Sequence, residues 1–106
     1  MLSRFNDKAQ RAIALAESLA FDFGHNSVGT EHLLLALLKM KDSKLKTILE
    51  SYNVTANLFQ EELVELFGQK STQPFYMEYT IALKNLIESA IVYSKKRGED
   101  RVSMDT

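Results

Sequence analysis

Three side chains able to handle protons or charged ligands fall in one short stretch, Gly24-His25-Asn26-Ser27-Val28-Gly29-Thr30-Glu31-His32-Leu33-Leu34-Leu35. Two histidines raise the question of a metal. Neither sits in a His-Glu-x-x-His arrangement, and no cysteine or third ligand is spaced to help. A turn-capping His25 and a packed or hydrogen-bonded His32 are expected instead. No serine has a histidine and an acid at recognisable nucleophile spacing, so catalysis is not expected. Glu31 differs from the histidines in its placement. It follows Thr30, a good N-cap, and stands on the first turn of a strongly apolar helix, where a carboxylate offsets the helix dipole.

Composition narrows the classes of function. The 106 residues are 45% hydrophobic and 25% charged, which suits one small globular domain with a modest core. A net charge of -1 gives no field that would gather nucleic acid or an anionic membrane. The absence of cysteine removes disulfides, thiolate metal sites and a thiol nucleophile, and suits a reducing cytoplasm. Met1-Leu2-Ser3-Arg4 lacks the apolar core of a signal peptide. The longest apolar run, Leu33 to Leu38, is too short to span a bilayer.

The elements that must position Glu31 are helices. Phe5, Ala9, Ala12, Ile13, Ala16, Ala20 and Phe23 recur at helical spacing, predicting a helix over Asn6 to Phe23 with Asn6 as N-cap and Gly24 closing it. The second helix, Glu31 to Lys41, has little polar face and should be central. Its Leu33–Leu38 run reads as core rather than as a partner-binding surface. Asp42 or Ser43 caps a short third helix carrying Leu45, Ile48, Leu49 and Tyr52, which Asn53 closes. Thr55 caps a fourth, with Phe59, Leu63, Leu66 and Phe67 on one face, and Gly68 stops it. The opposite face, with Glu61, Glu62 and Glu65, is either simply solvated or meets a basic partner. Residues 69–78 form a linker whose far end Phe75, Tyr76 and Tyr79 should anchor. A fifth helix starts from Thr80, turns Leu83, Leu86, Ile87, Ala90 and Ile91 inward, and ends at Gly98 behind Lys95, Lys96 and Arg97.

The fifth helix echoes the first. A shift of 74 positions carries Phe5 onto Tyr79, Asn6 onto Thr80, Ile13 onto Ile87, Ala16 onto Ala90, Gly24 onto Gly98, Val28 onto Val102 and Glu31 onto Asp105, without a gap. The expected architecture is therefore all-α, a tandem repeat of a four-helix unit: residues 1–68 as the first copy, 69–78 as linker, 79–106 as the start of the second. The second copy is cut short at Thr106, where another leucine-rich helix should begin, so the chain reads as a fragment of a longer one.

Phe5-Asn6-Asp7-Lys8-Ala9-Gln10, followed by the Gly24 to Leu34 stretch, resembles the N-terminal double-repeat domain of Clp ATPases, the AAA+ unfoldases. The nearest type is the Clp subunit of Gram-positive bacteria that delivers substrates to a barrel-shaped peptidase. The resemblance implies a recognition domain of an ATP-dependent protease, binding adaptor proteins and unfolded or marked substrates in the cytoplasm and reaching the Clp peptidase through the parent hexamer. It implies no cofactor here, because ATP would bind in separate ATPase domains and this chain has no Gly-x-x-x-x-Gly-Lys-Ser/Thr loop. Some Gram-positive members also bind phosphorylated arginine. By position the guanidinium-binding acid falls on Glu31 and Asp105, with Asn6, Thr30 and Thr80 at helix starts able to help hold the phosphate. This chain departs from the family in having Asn6 for threonine, in the shorter acid Asp105, and in reading Val102-Ser103-Met104-Asp105-Thr106 where the second glycine-threonine pair would stand. A structural role, contacting the ATPase ring or neighbouring subunits, is the alternative.

Overall fold

The computed structural model describes residues 5–40, 44–70, 74 and 76–98. Five helices and a minimal sheet lie among them: α1 (Asp7–Asp22), β1 (Ser27–Val28), α2 (Thr30–Lys39), α3 (Lys44–Ser51), α4 (Ala56–Phe67), β2 (Glu78–Tyr79) and α5 (Ile81–Lys96).

Local chemistry sets the helix ends. Asn6 Oδ1 accepts the Ala9 N–H at 2.8 Å, Thr55 Oγ1 accepts that of Leu58 at 3.3 Å, and Thr80 Oγ1 accepts that of Leu83 at 3.1 Å. At the end of α1, Gly24 takes φ 77°, the left-handed geometry that costs glycine least. The His25 N–H then reaches Ala20 O and the Gly24 N–H reaches Phe21 O, a Schellman closure. Asn53, at φ 65°, closes α3 the same way, with Val54 N–H on Leu49 O. α1 and α5 are both 16 residues long, and the 74-residue shift superposes their bounds and their capping bonds.

α2 does not begin as expected. Its N-cap is Gly29, and Thr30 is already helical. Gly29 has no side chain to cap with; His32, three residues on, returns a ring nitrogen to the Gly29 N–H at 2.9 Å. α2 ends at Lys39, while Lys41 and the proposed caps Asp42 and Ser43 lie outside the described residues.

The core sits between α1 and α2. Ala9, Ala12, Ala16 and Ala20 make α1's inner face small, so α2 can approach closely and bury Leu33, Ala36 and Leu37. Leu83 and Ile87 of α5 join this same cluster. Phe23, Leu35 and Leu63 form a second cluster under α4. Several stripe residues stay outside. Ile48 of α3 and Tyr52 just past its end, Leu66 and Phe67 of α4, Tyr76, and Leu86 of α5 are exposed rather than inward. α3 buries no residue fully, so it is a peripheral helix.

The pairing of β1 with β2 is parallel, Ser27 opposite Glu78 and Val28 opposite Tyr79. Asn26 O accepts the Glu78 N–H at 3.0 Å, and Val28 O accepts the Thr80 N–H at 2.9 Å. Glu78, expected at the linker's end, therefore belongs to a strand. Tyr79 also ties this edge to α1 through its hydroxyl, 3.2 Å from Glu17 Oε1. Burial and the Glu17 carboxylate push the phenol's pKa up to about 12, so it stays a donor. No helix among the described residues is long and apolar enough to cross a membrane.

Candidate functional site

The β1–β2 pairing decides the site, because it carries Thr80 across to the turn before α2. Glu31, His32, Thr80, Lys70, Phe67 and the Gly24–Ser27 corner line one open depression of about 370 Å³. It collects the amino ends of α2 and α5 with the carboxyl end of α4. Two other depressions run along single helices, one on α5 and one on α4, and join no separated elements.

The five residues singled out from sequence fare differently. Glu31 and Thr80 meet in the depression. Thr30 lies on the α2 first turn beside it but does not cap the helix. Asn6 is outside this lining, at the start of α1. Asp105 lies outside the described residues. Lys70 and the pairing of the two histidines are additions. Lys70 belongs to no motif, while the histidines stand seven apart across a glycine-closed turn, a spacing that could have signalled contact.

Below Glu31 runs a directional chain of hydrogen bonds. The Gly29 N–H can only donate, so His32 Nδ1 is a bare acceptor at 2.9 Å. The His32 proton is then on Nε2, and His25 Nδ1 accepts it at 3.0 Å. That leaves the His25 proton on Nε2, which donates to Gly68 O at 2.7 Å. Both rings are thereby fixed as neutral Nε2–H forms, and the chain joins α2, the α1–β1 corner and the end of α4. A second strand of support is the Lys70 N–H on Phe23 O at 2.9 Å.

His32 is 3% exposed. Its pKa is lowered by burial first; the Glu31 carboxylate acts against this and His25 with it. Glu31 Oε1 lies 3.6 Å from His32 Nδ1, and the Glu31 side chain keeps 28% of its surface open. Glu31 also folds back over Gly29, where an added Cβ would fall 2.7 Å from its carboxyl carbon. Gly29 itself has extended backbone that any residue adopts. Gly29→Ala is therefore expected to displace the carboxylate while moving the thermal midpoint by only a few degrees, on the order of 1 kcal/mol. Thermal melts and the Glu31 carboxyl carbon shift would check this. Among the described residues, no group of three or more His, Cys, Asp or Glu could hold a metal.

An acid, a hydroxyl, an ammonium and two helix amino ends in one depression can bind a ligand carrying both signs of charge.

Comparisons with known proteins agree with this architecture. The Negative regulator of genetic competence ClpC/MecB of Bacillus subtilis strain 168 is 30% identical over 105 residues, covering 99% of this chain and 13% of that protein. The ATP-dependent Clp protease ATP-binding subunit ClpC of Staphylococcus aureus strain USA300 is 33% identical over 96 residues, covering 91% of this chain and 12% of its own length. A ClpV N-domain solved in complex with a VipB peptide superposes with a TM-score of 0.73 at 20% identity, over 95% of this chain and 62% of that one. The chain thus spans about an eighth of the curated relatives it matches. The Clp repeat (R) N-terminal domain profile matches residues 4–106, and the chain belongs to that family.

Proposed function

We propose that this domain docks adaptor proteins and protein substrates for a Clp ATPase, an unfoldase of ATP-dependent protein degradation in the cytoplasm. ATP chemistry and contact with the Clp peptidase would belong to the rest of the parent hexamer. The observation that carries this reading is the shared Glu31–Thr80 depression, built from two distant parts of the chain at an open surface. The named peptide complex of a ClpV N-domain supports it, as does the naming of a ClpC relative as a Clp protease subunit.

Within that reading the ligand is a phosphoarginine side chain. Glu31 would take the guanidinium through paired, charge-assisted hydrogen bonds. The Thr80 oxygen already accepts the Leu83 N–H, and its own O–H remains a donor for phosphate. The α2 amino end and the Lys70 ammonium complete an anion-binding wall. By the 74-residue shift Asn6 is the counterpart of Thr80 and Asp105 that of Glu31, and the same roles would fall to them by position.

Titration calorimetry with a phosphoarginine peptide tests the assignment. Glu31→Gln should weaken binding by roughly 10–100-fold, the scale of one charged hydrogen-bonded partner. Its thermal midpoint should stay within a few degrees. Unchanged affinity in Glu31→Gln, or equal binding of the unphosphorylated arginine peptide, would remove phosphoarginine as the ligand.

A further inference from the structure

His32 Nδ1 stands between two partners that make opposite demands. As a lone pair it accepts the Gly29 N–H at 2.9 Å. As a protonated donor it would face Glu31 Oε1, now 3.6 Å away. It cannot serve both.

The histidine chain offers an added proton two places. At His25 Nδ1 it would oppose the His32 Nε2–H, break the 3.0 Å bond between the rings and, among the described residues, meet no carboxylate. At His32 Nδ1 it leaves the bonds to His25 and Gly68 intact, gives up the Gly29 N–H, and gains an anionic partner. The second place is favoured.

We propose that His32 is a proton-operated brake on the depression: on acidification it takes a proton at Nδ1 and draws the Glu31 carboxylate into an ion pair, withdrawing it from cationic ligands. The geometry is the basis; the reading of Glu31 as the ligand carboxylate is what makes the device a brake. Among the described residues, the charged groups around His32 are few. Glu31 comes from α2, and Lys70 lines the depression from beyond α4. The α1–β1 corner contributes His25 with uncharged Gly24, Asn26 and Ser27, and the β2 end contributes Thr80. Burial opposes the incoming proton, so the brake engages below the ordinary histidine range near pH 6.5. Linkage is reciprocal: a cation held by Glu31 makes His32 harder to protonate, so binding in acid expels a proton.

Imidazole 15N and backbone amide NMR of the whole chain, from pH 8 to 5.5 without ligand, tests the device. The expected results are His32 in the Nε2–H form at pH 8, a titration midpoint below 6.5, and a Gly29 amide proton that moves with the same midpoint. Glu31→Gln should lower that midpoint by roughly 0.3–0.7 unit, the scale of a partly exposed charge pair. His32 in the Nδ1–H form at pH 8, a Gly29 amide indifferent to the titration, or a midpoint unmoved by Glu31→Gln would each overturn it. No ligand enters the measurement, so its failure is separate from failure of phosphoarginine binding.

Discussion

Leu35→Ala should destabilise the domain by about 2–5 kcal/mol, the range for emptying a leucine site in a packed core. Leu35 is fully buried between Phe23 and Leu63, where α2 meets the end of α1 and the middle of α4. Little around it can collapse into the space, because Phe23 and Leu63 are held by separate helices. The neighbouring Leu34 is half-buried and serves as the control. Leu34→Ala should cost about 1 kcal/mol. Urea melts of both variants measure the difference. Equal midpoints would mean that α2 is not the central helix its leucines indicate. The loss should fall first on α4, whose buried anchor is Leu63 alone.

His32→Leu should cost about 2–4 kcal/mol at pH 7.5. The substitution orphans the buried Gly29 N–H, at about 1–3 kcal/mol, and removes the bond to His25, at about 1 kcal/mol. Its second effect is on pH dependence. Burial holds the folded pKa of His32 below the unfolded value near 6.5, so the unfolded chain binds this proton more readily. The contribution of His32 is then complete above pH 6.5 and is lost as pH falls from there through its folded value. Stability of the native sequence should decline on acidification across that window. His32→Leu, already weaker at pH 7.5, should show a flatter slope. Thermal midpoints at half-unit steps from pH 7.5 to 5 give both numbers, and a variant with the native slope would assign the acid sensitivity elsewhere.

What could be read from the sequence was mostly local. Asn6, Thr55 and Thr80 cap helices because their oxygens reach an N–H three residues ahead, and Gly24 and Asn53 close them because of what they tolerate at positive φ. Helical spacing gave α1, α2, α4 and α5. Spacing identifies a stripe but not how far along it a neighbour reaches, so Leu66, Phe67 and Leu86 carry the right period and remain exposed. α2 starts one residue before the sequence expectation, although Thr30 has the better capping side chain. The competing device needed His32 to turn its ring back onto Gly29.

The candidate site was half legible. Glu31 stood out from its helix-start position, and resemblance gave it a partner type. That its partner in space is Thr80 follows from two backbone hydrogen bonds between segments far apart in sequence. Strands of two residues leave no alternating pattern to read, and the polar run before Pro74 looks like a linker. Lys70 reaches the depression only because Gly68, at φ 78°, turns the chain back after α4.

The bridge between Val28 and Tyr79 also makes ligand occupancy a mechanical matter. One wall of the depression belongs to the start of α2, the other to the start of α5, and the two hold together through a few hydrogen bonds and the Leu83 and Ile87 side chains. A molecule that grips Glu31 and Thr80 together exists only while α5 is seated. Its binding free energy is added to the work of unseating α5, by RT ln(1 + [L]/Kd). Openings confined to the peripheral α3 receive none of it. The ligand thus acts as a removable rivet across a long-range seam, and its presence is recorded in how tightly the last described helix is fastened.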